Sequence, residues 1–432
     1  MRLSEGTRTR SLRRRVRHLR QLPPPPAAAV GDRSAMRHLL RHPEMWGFIA
    51  TTACVEFARG ALFLSLLPAY LTQGLAMSVA TLGLVISAQY LADTVFKIPT
   101  GWLVDRFGPW RVLVPFLSLS AVAVYLLPRV HAGLAFVLLG VLFGAGSSAN
   151  WPAVLSGSVE IGGMERRASA TSIVFLAWLA GGGLGPVLVN FLIGRGFHTA
   201  FLVAAAVVTG APVAALLGLR RMRAGRHPGP RPAQAPDSPG AVLDGIRRAG
   251  WLIPGMFVQM LALGILLPVL VPFARQHLHL TPPQYGFMLL AGGTVTVLCL
   301  LPMGRVVDRL GSKLLLVGGF VMASAAVVLL ALARDASGLL WRAALLGLSY
   351  AVILPAWNGL TVGKIDAGRR GLLLGVFMAI EGLGIAVGPI LGGALYTWHV
   401  RAPFFVTGAI LAAIAVFYAL VANRHFHAQE GS

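Results

Sequence analysis

The sequence predicts an all-α membrane protein with twelve transmembrane helices arranged as two pseudo-symmetric six-helix halves. Three observations carry this. Of 432 residues, 56% are hydrophobic and 12% charged, and the mean hydropathy is +0.73, a composition that excludes a soluble multi-domain enzyme. Apolar runs long enough to cross a bilayer, roughly 20 residues each, recur twelve times along the chain. Landmarks in the first six runs return in the last six at a constant offset of 203 residues.

The runs place spans near 46–70, 81–104, 112–128, 133–158, 170–193 and 198–219, then near 251–273, 284–303, 314–333, 339–361, 371–395 and 402–421. Between the two sets, residues 220–250 hold seven arginines and a Pro-rich stretch from Pro228 to Pro239, the composition of a polar linker. The chain therefore divides into a basic tail at 1–45, a six-helix bundle at 46–219, the linker at 220–250, a second bundle at 251–421 and a short tail at 422–432. Basic loops resist translocation. With both termini cytoplasmic, 29 of the 37 Lys and Arg residues fall in cytoplasmic segments and six on the outer side, which predicts a multi-pass protein of the cell membrane with an even number of spans.

A net charge of +22 would suggest nucleic acid in a soluble protein. Concentrated in membrane-flanking segments, it predicts attraction to anionic lipid headgroups instead, with no nucleic-acid partner. The first residues, MRLSEGTRTRSLRRRVRHLRQLPPPP, lack the apolar core of a signal peptide. Cys54 and Cys299 each lie inside an apolar run and offer neither a disulfide framework nor a metal cluster, so neither metal nor cofactor is expected. There is no nucleophile elbow and no paired loop carboxylate, which argues against a polytopic enzyme.

The repeat is carried by four landmarks. GWLVDRFG begins at Gly101 and GRVVDRLG at Gly304; Pro152 corresponds to Pro355, Arg166-Arg167 to Arg369-Arg370, and Gly185-Pro186 to Gly388-Pro389. Two homologous halves place a substrate cavity between them near the membrane midplane and permit rocking access. They already complete one cavity, so a monomer is expected. Gly101, Asp105, Arg106 and Gly108, with their counterparts Gly304, Asp308, Arg309 and Gly311, form GxxxDRxG between the second and third helices of each half. Glycine permits a tight turn or close approach, and an aspartate accepts hydrogen bonds from a neighbouring helix N-terminus. In this motif and its duplication the chain resembles the major facilitator superfamily over nearly its whole length. The resemblance implies that the loop latches the cytoplasmic side, with Arg106, Arg111, Arg309 and Lys313 as its basic partners. Gly185, Pro186, Gly388 and Pro389 lie on the fifth span and its repeat, where small residues give a flat packing face and proline after glycine offers a hinge.

Five ionisable residues sit inside spans, where each costs on the order of 3 kcal/mol if unpaired. Glu56 and Arg59 are three apart on the first span, Asp93 and Lys97 four apart on the second, so each pair shares a helix face and partly neutralises itself. Gln89 stands one turn before Asp93 and extends the polar stripe. Lys97 lies one turn from Gly101 and could instead snorkel to the headgroups. Glu381, on the eleventh span, is the fifth. A carboxylate balanced between desolvation and a nearby cation is the chemistry of proton coupling. The opposite wall is apolar: Gln259 is the polar side chain of the seventh span, and Thr294 and Thr296 those of the eighth. A cavity polar on one side and oily on the other suits a membrane lipid or another amphiphile. On the tenth span, Trp357 and Asn358 follow Pro355 in a cavity-facing region, with core packing the alternative for Trp357.

Several runs resemble one branch of the superfamily, the proton-coupled flippases that move the glycolipid anchor of lipoteichoic acid. They are VEFARG (55–60), YLAD (90–93), FLAWLAGG (175–182), LPAWN (354–358), GVFMAIEGLGIAVGPILGG (375–393) and AVFYALVANR (415–424). This resemblance implies that Glu56, Arg59 and Asp93 line a hydrophilic pocket for a sugar head group and for protons, with Trp178 as an aromatic wall for a sugar ring. The chain departs from the branch at Glu381, where a neutral amide is usual, and at Asp105, where a basic residue stands. The leading reading is a proton-coupled flippase of a lipid-linked disaccharide, and the alternative is a drug or small-metabolite proton antiporter using the same carboxylates.

Overall fold

In lipid, backbone N–H and C=O groups find no water and must bond to one another, so each apolar run folds as helix. The computed structural model describes residues 33–220, 222, 250–336, 338–362 and 370–426, and among these it contains helices and no strand. In chain order they are α1 (Arg33–Leu40), α2 (Pro43–Ala61), α3 (Val79–Phe107), α4 (Pro109–Leu126), α5 (Gly133–Ser147), α6 (Asn150–Ile193), α7 (Phe197–Leu219), α8 (Ile253–Leu266), α9 (Pro282–Leu310), α10 (Ser312–Ala331), α11 (Leu339–Val362), α12 (Arg370–Trp398) and α13 (Ala402–Phe426). Wider π-helical turns carry α2 on to Gly74, and α8 continues to His277 past a bend of 42°. Among the described residues there are eleven membrane-length apolar spans, and twelve when the bent α8 is counted as one.

Four boundaries differ from the expectation. The tail predicted at 1–45 ends in α1, held by Leu39, which is fully buried. The last helix runs to Phe426, into the predicted tail at 422–432. The fourth span breaks at 148–149, after Ser147 and Ser148 turn their hydroxyls back onto the carbonyls of Gly144 and Ala145. The predicted loop at 160–169 is itself helical, and α6 is continuous by hydrogen bonding. The chain nevertheless reverses inside α6. Gly157 packs on Phe48 and Gly181 on Ala53, five residues further along α2, whereas a straight helix would separate the two glycines by about 36 Å. The linker, including Pro228–Pro239, lies outside the described residues apart from Arg220, Met222 and Gly250. So does Arg369, and the side chains of Arg166, Arg167 and Arg370 are likewise not described.

The offset of 203 seen in the sequence is a geometric repeat. Gly108 and Gly311, which join α3 to α4 and α9 to α10, have φ of 86° and 88°, a left-handed conformation suited to glycine. A Cβ on Gly185 would strike the Phe57 carbonyl and Ala61 on α2; a Cβ on Gly388, its counterpart, would strike Gly264 and Ile265 on α8. Ala61 and Gly264 are themselves 203 apart, so the same helix crossing is built twice. Such backbone approach replaces the hydrophobic drive that lipid removes.

The halves meet away from the chain termini. Gly83 of α3 abuts the Pro389 carbonyl of α12, and Gly393 abuts Val79 and Ala80. Gly286 of α9 lies against Val187 and Asn190 of α6, and the Tyr285 hydroxyl donates to the Leu64 carbonyl at 3.5 Å. These contacts close the distal side of the interface. On the side of the termini, Ile98 and Trp102 of α3 and Leu301 and Leu310 of α9 are exposed.

The duplicated crossing predicts a matched pair of effects. Gly185→Ala and Gly388→Ala should each lower unfolding stability in detergent by about 1–3 kcal/mol, the usual cost of overpacking. Gly183→Ala, where a Cβ meets nothing within 4 Å, should leave the melting curve in place.

Candidate functional site

The polar residues of α2 and α3 meet in the membrane interior because each set follows helical spacing. Glu56 and Arg59 occupy adjacent turns of one face of α2; Gln89, Asp93 and Lys97 form a stripe at four-residue intervals on α3. Arg59 joins the helices. Its Nη2 donates to Asp93 Oδ1 at 3.1 Å and to the Ser147 hydroxyl at 3.0 Å, while its Nε stands 3.6 Å from Glu56 Oε2. Lys97 Nζ donates to the other oxygen, Asp93 Oδ2, at 2.5 Å. The Ser147 hydroxyl also reaches Asp93 Oδ1 at 3.3 Å. Glu56 is 7% exposed and Asp93 3%. Two carboxylates and two cations make a formally neutral cluster, the condition under which buried charge is tolerated.

The expected pairs within each helix are present, and the link from Arg59 to Asp93 adds the contact between helices. Lys97 turns inward to Asp93 rather than out to the headgroups. Gln89 is fully buried, and neither its amide oxygen nor its nitrogen has a hydrogen-bond partner among the described residues. Tyr90, within electrostatic reach of Arg59 and Glu56, borders the cluster. Ser147 was not singled out by the sequence, nor was Asn150, whose Oδ1 accepts from Thr52 at 3.3 Å. The signal for both was the run AGSSAN (145–150), small and polar inside an apolar span.

The other candidates fall elsewhere. Trp178 is half-buried and stacks on Phe175 with ring centroids 5.1 Å apart; it lies one turn before Gly181, which packs on α2. Trp357 belongs to the apolar core of the second half, 5% exposed and edge-on to Tyr418, so the packing alternative describes it. Asn358 beside it is exposed. Glu381 is half-buried on α12, within electrostatic reach of Lys97. Gly185, Pro186, Gly388 and Pro389 sit in helix-packing contacts. In the two loop motifs, Asp105 and Asp308 are exposed and form no hydrogen bond among the described residues, so the expected bonds to a neighbouring helix N-terminus are not made. Arg106 stacks on Trp102 and Phe107, and Arg111 on Trp110. The latch would close the side of the termini, and here the halves are joined on the opposite side. A Cβ on Gly101 would stand 3.8 Å from the Pro152 side chain, and one on Gly304 would meet nothing within 4 Å.

Two six-helix halves, a polar cluster at mid-membrane in one of them and an interface closed on one side define a membrane transporter rather than an enzyme. The Major Facilitator Superfamily model matches residues 48–253 and 252–431, and the chain belongs to that superfamily. It is 25% identical over 372 residues to the proton-coupled antiporter flippase LtaA of Staphylococcus haemolyticus, covering 84% of this chain and 90% of that one. It is 24% identical over 402 residues to the protein of the same name from Staphylococcus aureus strain MSSA476, covering 90% and 98%. Solved structures share the fold at lower identity. A bacterial homolog of the human lysosomal transporter Spinster, in an inward-facing and unoccupied conformation, superposes with a TM-score of 0.69 at 14% identity, over 90% of this chain and 97% of that one. The nucleoside transporter NupG gives 0.67 at 17%, over 87% and 98%.

Removing Arg59 leaves two buried carboxylates short of a cation. Arg59→Ala should cost about 3–5 kcal/mol in detergent unfolding, and Ser147→Ala about 1 kcal/mol. Combining Arg59→Ala with Asp93→Asn should cost less than the sum of the two single changes, because they share one ion pair.

Proposed function

We propose that the chain is a proton-coupled transporter that carries a glycolipid, a lipid-linked disaccharide, across the cell membrane by alternating access. The observation that carries this reading is the asymmetry of charge. The first half gathers Glu56, Arg59, Asp93 and Lys97 into one buried network with the unpartnered amide of Gln89 beside it, while in the second half the membrane stretches of α8 and α9 carry only Gln259, Thr294 and Thr296 as polar side chains. A sugar head group, rich in hydroxyls, finds donors and acceptors on the first wall, and acyl chains find hydrocarbon on the second. The names of the staphylococcal relatives support the same assignment.

Proton coupling follows from competition for Arg59 and Lys97. A proton on Asp93 removes the charge that holds both cations, freeing the Arg59 guanidinium to donate to head-group hydroxyls; loss of that proton restores the network and weakens the grip on the sugar. Each state is stabilised by what it binds, as a population shift requires. Both termini are cytoplasmic in this reading, the closed distal side is the outer side, and the structure is inward-facing. The latch residues Asp105, Arg106, Asp308 and Arg309 engage when the cytoplasmic side closes. One chain encloses one cavity and acts as a monomer.

In vesicles holding the purified protein, a fluorescent disaccharide lipid should change leaflets faster when a pH gradient is imposed, and Asp93→Asn should abolish that acceleration. Gradient-driven movement unchanged in the variant removes Asp93 from the coupling. Dye or antibiotic extrusion that glycolipid fails to inhibit would replace the lipid with a drug as cargo. Sidedness is checked with Asp105→Cys in a background free of other cysteines: in intact cells an impermeant thiol reagent should leave it unlabelled, and labelling from outside would invert the topology.

A further inference from the structure

Glu381 differs from the other buried carboxylates in having no ion pair or hydrogen bond among the described residues, although it is half-buried at mid-membrane. Its helix touches α3 at that level. A Cβ on Gly382, the next residue, would collide with the side chain of Thr94, and Thr94 shares a face of α3 with Lys97 one turn later. Lys97 is the cation within electrostatic reach of Glu381, and the phenol of Tyr350 on α11 is the other titratable group facing it. From α8, which also packs on α12, Phe257, Met260 and Leu261 lie against Gly384, one turn after Glu381. Lys97 pairs with Asp93, which pairs in turn with Arg59, and Arg59 with Glu56, so Glu381 stands within electrostatic reach of one end of that network. That network already balances two carboxylates with two cations. A third carboxylate within electrostatic reach of it leaves one acid more than the cations can match, and burial of an unmatched charge is costly. One proton therefore belongs to the cluster, and the carboxyl without a cation holds it.

We propose that the Lys97 ammonium is shared between Asp93 and Glu381, so that the proton resides on whichever of the two carboxyls lacks it, and that the Lys97–Glu381 pair ties α3 of one half to α12 of the other. In the arrangement seen, Lys97 pairs with Asp93 and Glu381 is the protonated acid. When Asp93 takes up a proton, Lys97 is released, Glu381 gives its proton to water, and the carboxylate so formed receives the ammonium. One proton binds and one leaves, so the net charge of the cluster is conserved. The ion pair then draws together the parts of α3 and α12 nearer the termini, which is the closing motion that alternating access requires. The inference deepens the proton-coupled reading and rests on it for its purpose, though its test uses no substrate.

The experiment measures the distance between spin labels at Phe107→Cys and Leu310→Cys, at the exposed ends of α3 and α9, in full-length protein carrying Cys54→Ser and Cys299→Ser. Asp93→Asn mimics the protonated acid, and should shift the distance population toward shorter values as Lys97 moves to Glu381. Adding Glu381→Gln should abolish that shift, adding Glu381→Asp should retain it, and adding Lys97→Met should abolish it from the other partner. Should Glu381→Gln fail to yield folded protein, the Lys97→Met comparison decides alone. A shift in Asp93→Asn that survives Glu381→Gln or Lys97→Met overturns the proposal, as does the absence of any shift in Asp93→Asn. Failure of glycolipid movement in vesicles with these distance changes intact would remove the cargo assignment and leave the exchange standing.

Discussion

The contact on which the site depends is the bridge from Arg59 to Asp93. Each helix carries its own acid and base, and a helix with an internal pair could sit anywhere in the bundle. Once the guanidinium of α2 donates to the carboxylate of α3, the two helices are held in one register. Ser147 completes the joint by binding both partners from a third helix. Asp93 is then held on both oxygens, and the cost of burying four charges is offset by their mutual pairing. The same economy makes the cluster responsive, because a proton on one carboxyl upsets the balance of all four.

The scaffold that brings these helices together relies on small residues. Gly181 and Gly185 let α6 approach α2, and Gly384 and Gly388 let α12 approach α8 in the equivalent way. Lipid provides no reason for apolar helices to leave it, so close van der Waals contact supplies the adhesion. Between the halves, Gly83, Gly286 and Gly393 do the same work on the distal side, and Gly382 does so against Thr94 nearer mid-membrane. The interface is thus tight on the distal side, where these glycines stand. Fold by itself says little about cargo, and the chemistry of the site rests on the ion-paired network of the first half and the single carboxyl, Glu381, that the second half brings within its reach.

Much of this was legible in the chain. Twelve apolar runs, the duplicated GxxxDRxG and the common offset of 203 specified the helix count and the two-fold repeat, because membrane spans have a length set by the bilayer and a turn such as Gly108 needs glycine for its positive φ. The pairs Glu56/Arg59 and Asp93/Lys97 were visible as well, since helical spacing alone puts their members side by side. What escaped were features that depend on a second helix. Ser147 is an ordinary serine until Arg59 and Asp93 converge on it, and Trp357 is as easily read into a cavity as into the core where Tyr418 receives it. The helix at Arg33–Leu40 packs on α2 and α6, which local composition does not record.

The amino-acid sequence by itself determined that this chain spans the membrane about twelve times, is built twice over, and buries titratable groups in its first two spans, because each property follows from hydropathy, periodicity or near-neighbour spacing. Only the tertiary structure decided that Arg59 serves Asp93 as well as Glu56, that Lys97 turns inward, that Glu381 comes within reach of Lys97 from the other half, and that the interface is closed on the distal side. Those outcomes depend on which helix faces which across the bundle. Such contacts join residues tens to hundreds of positions apart, and no local pattern encodes them.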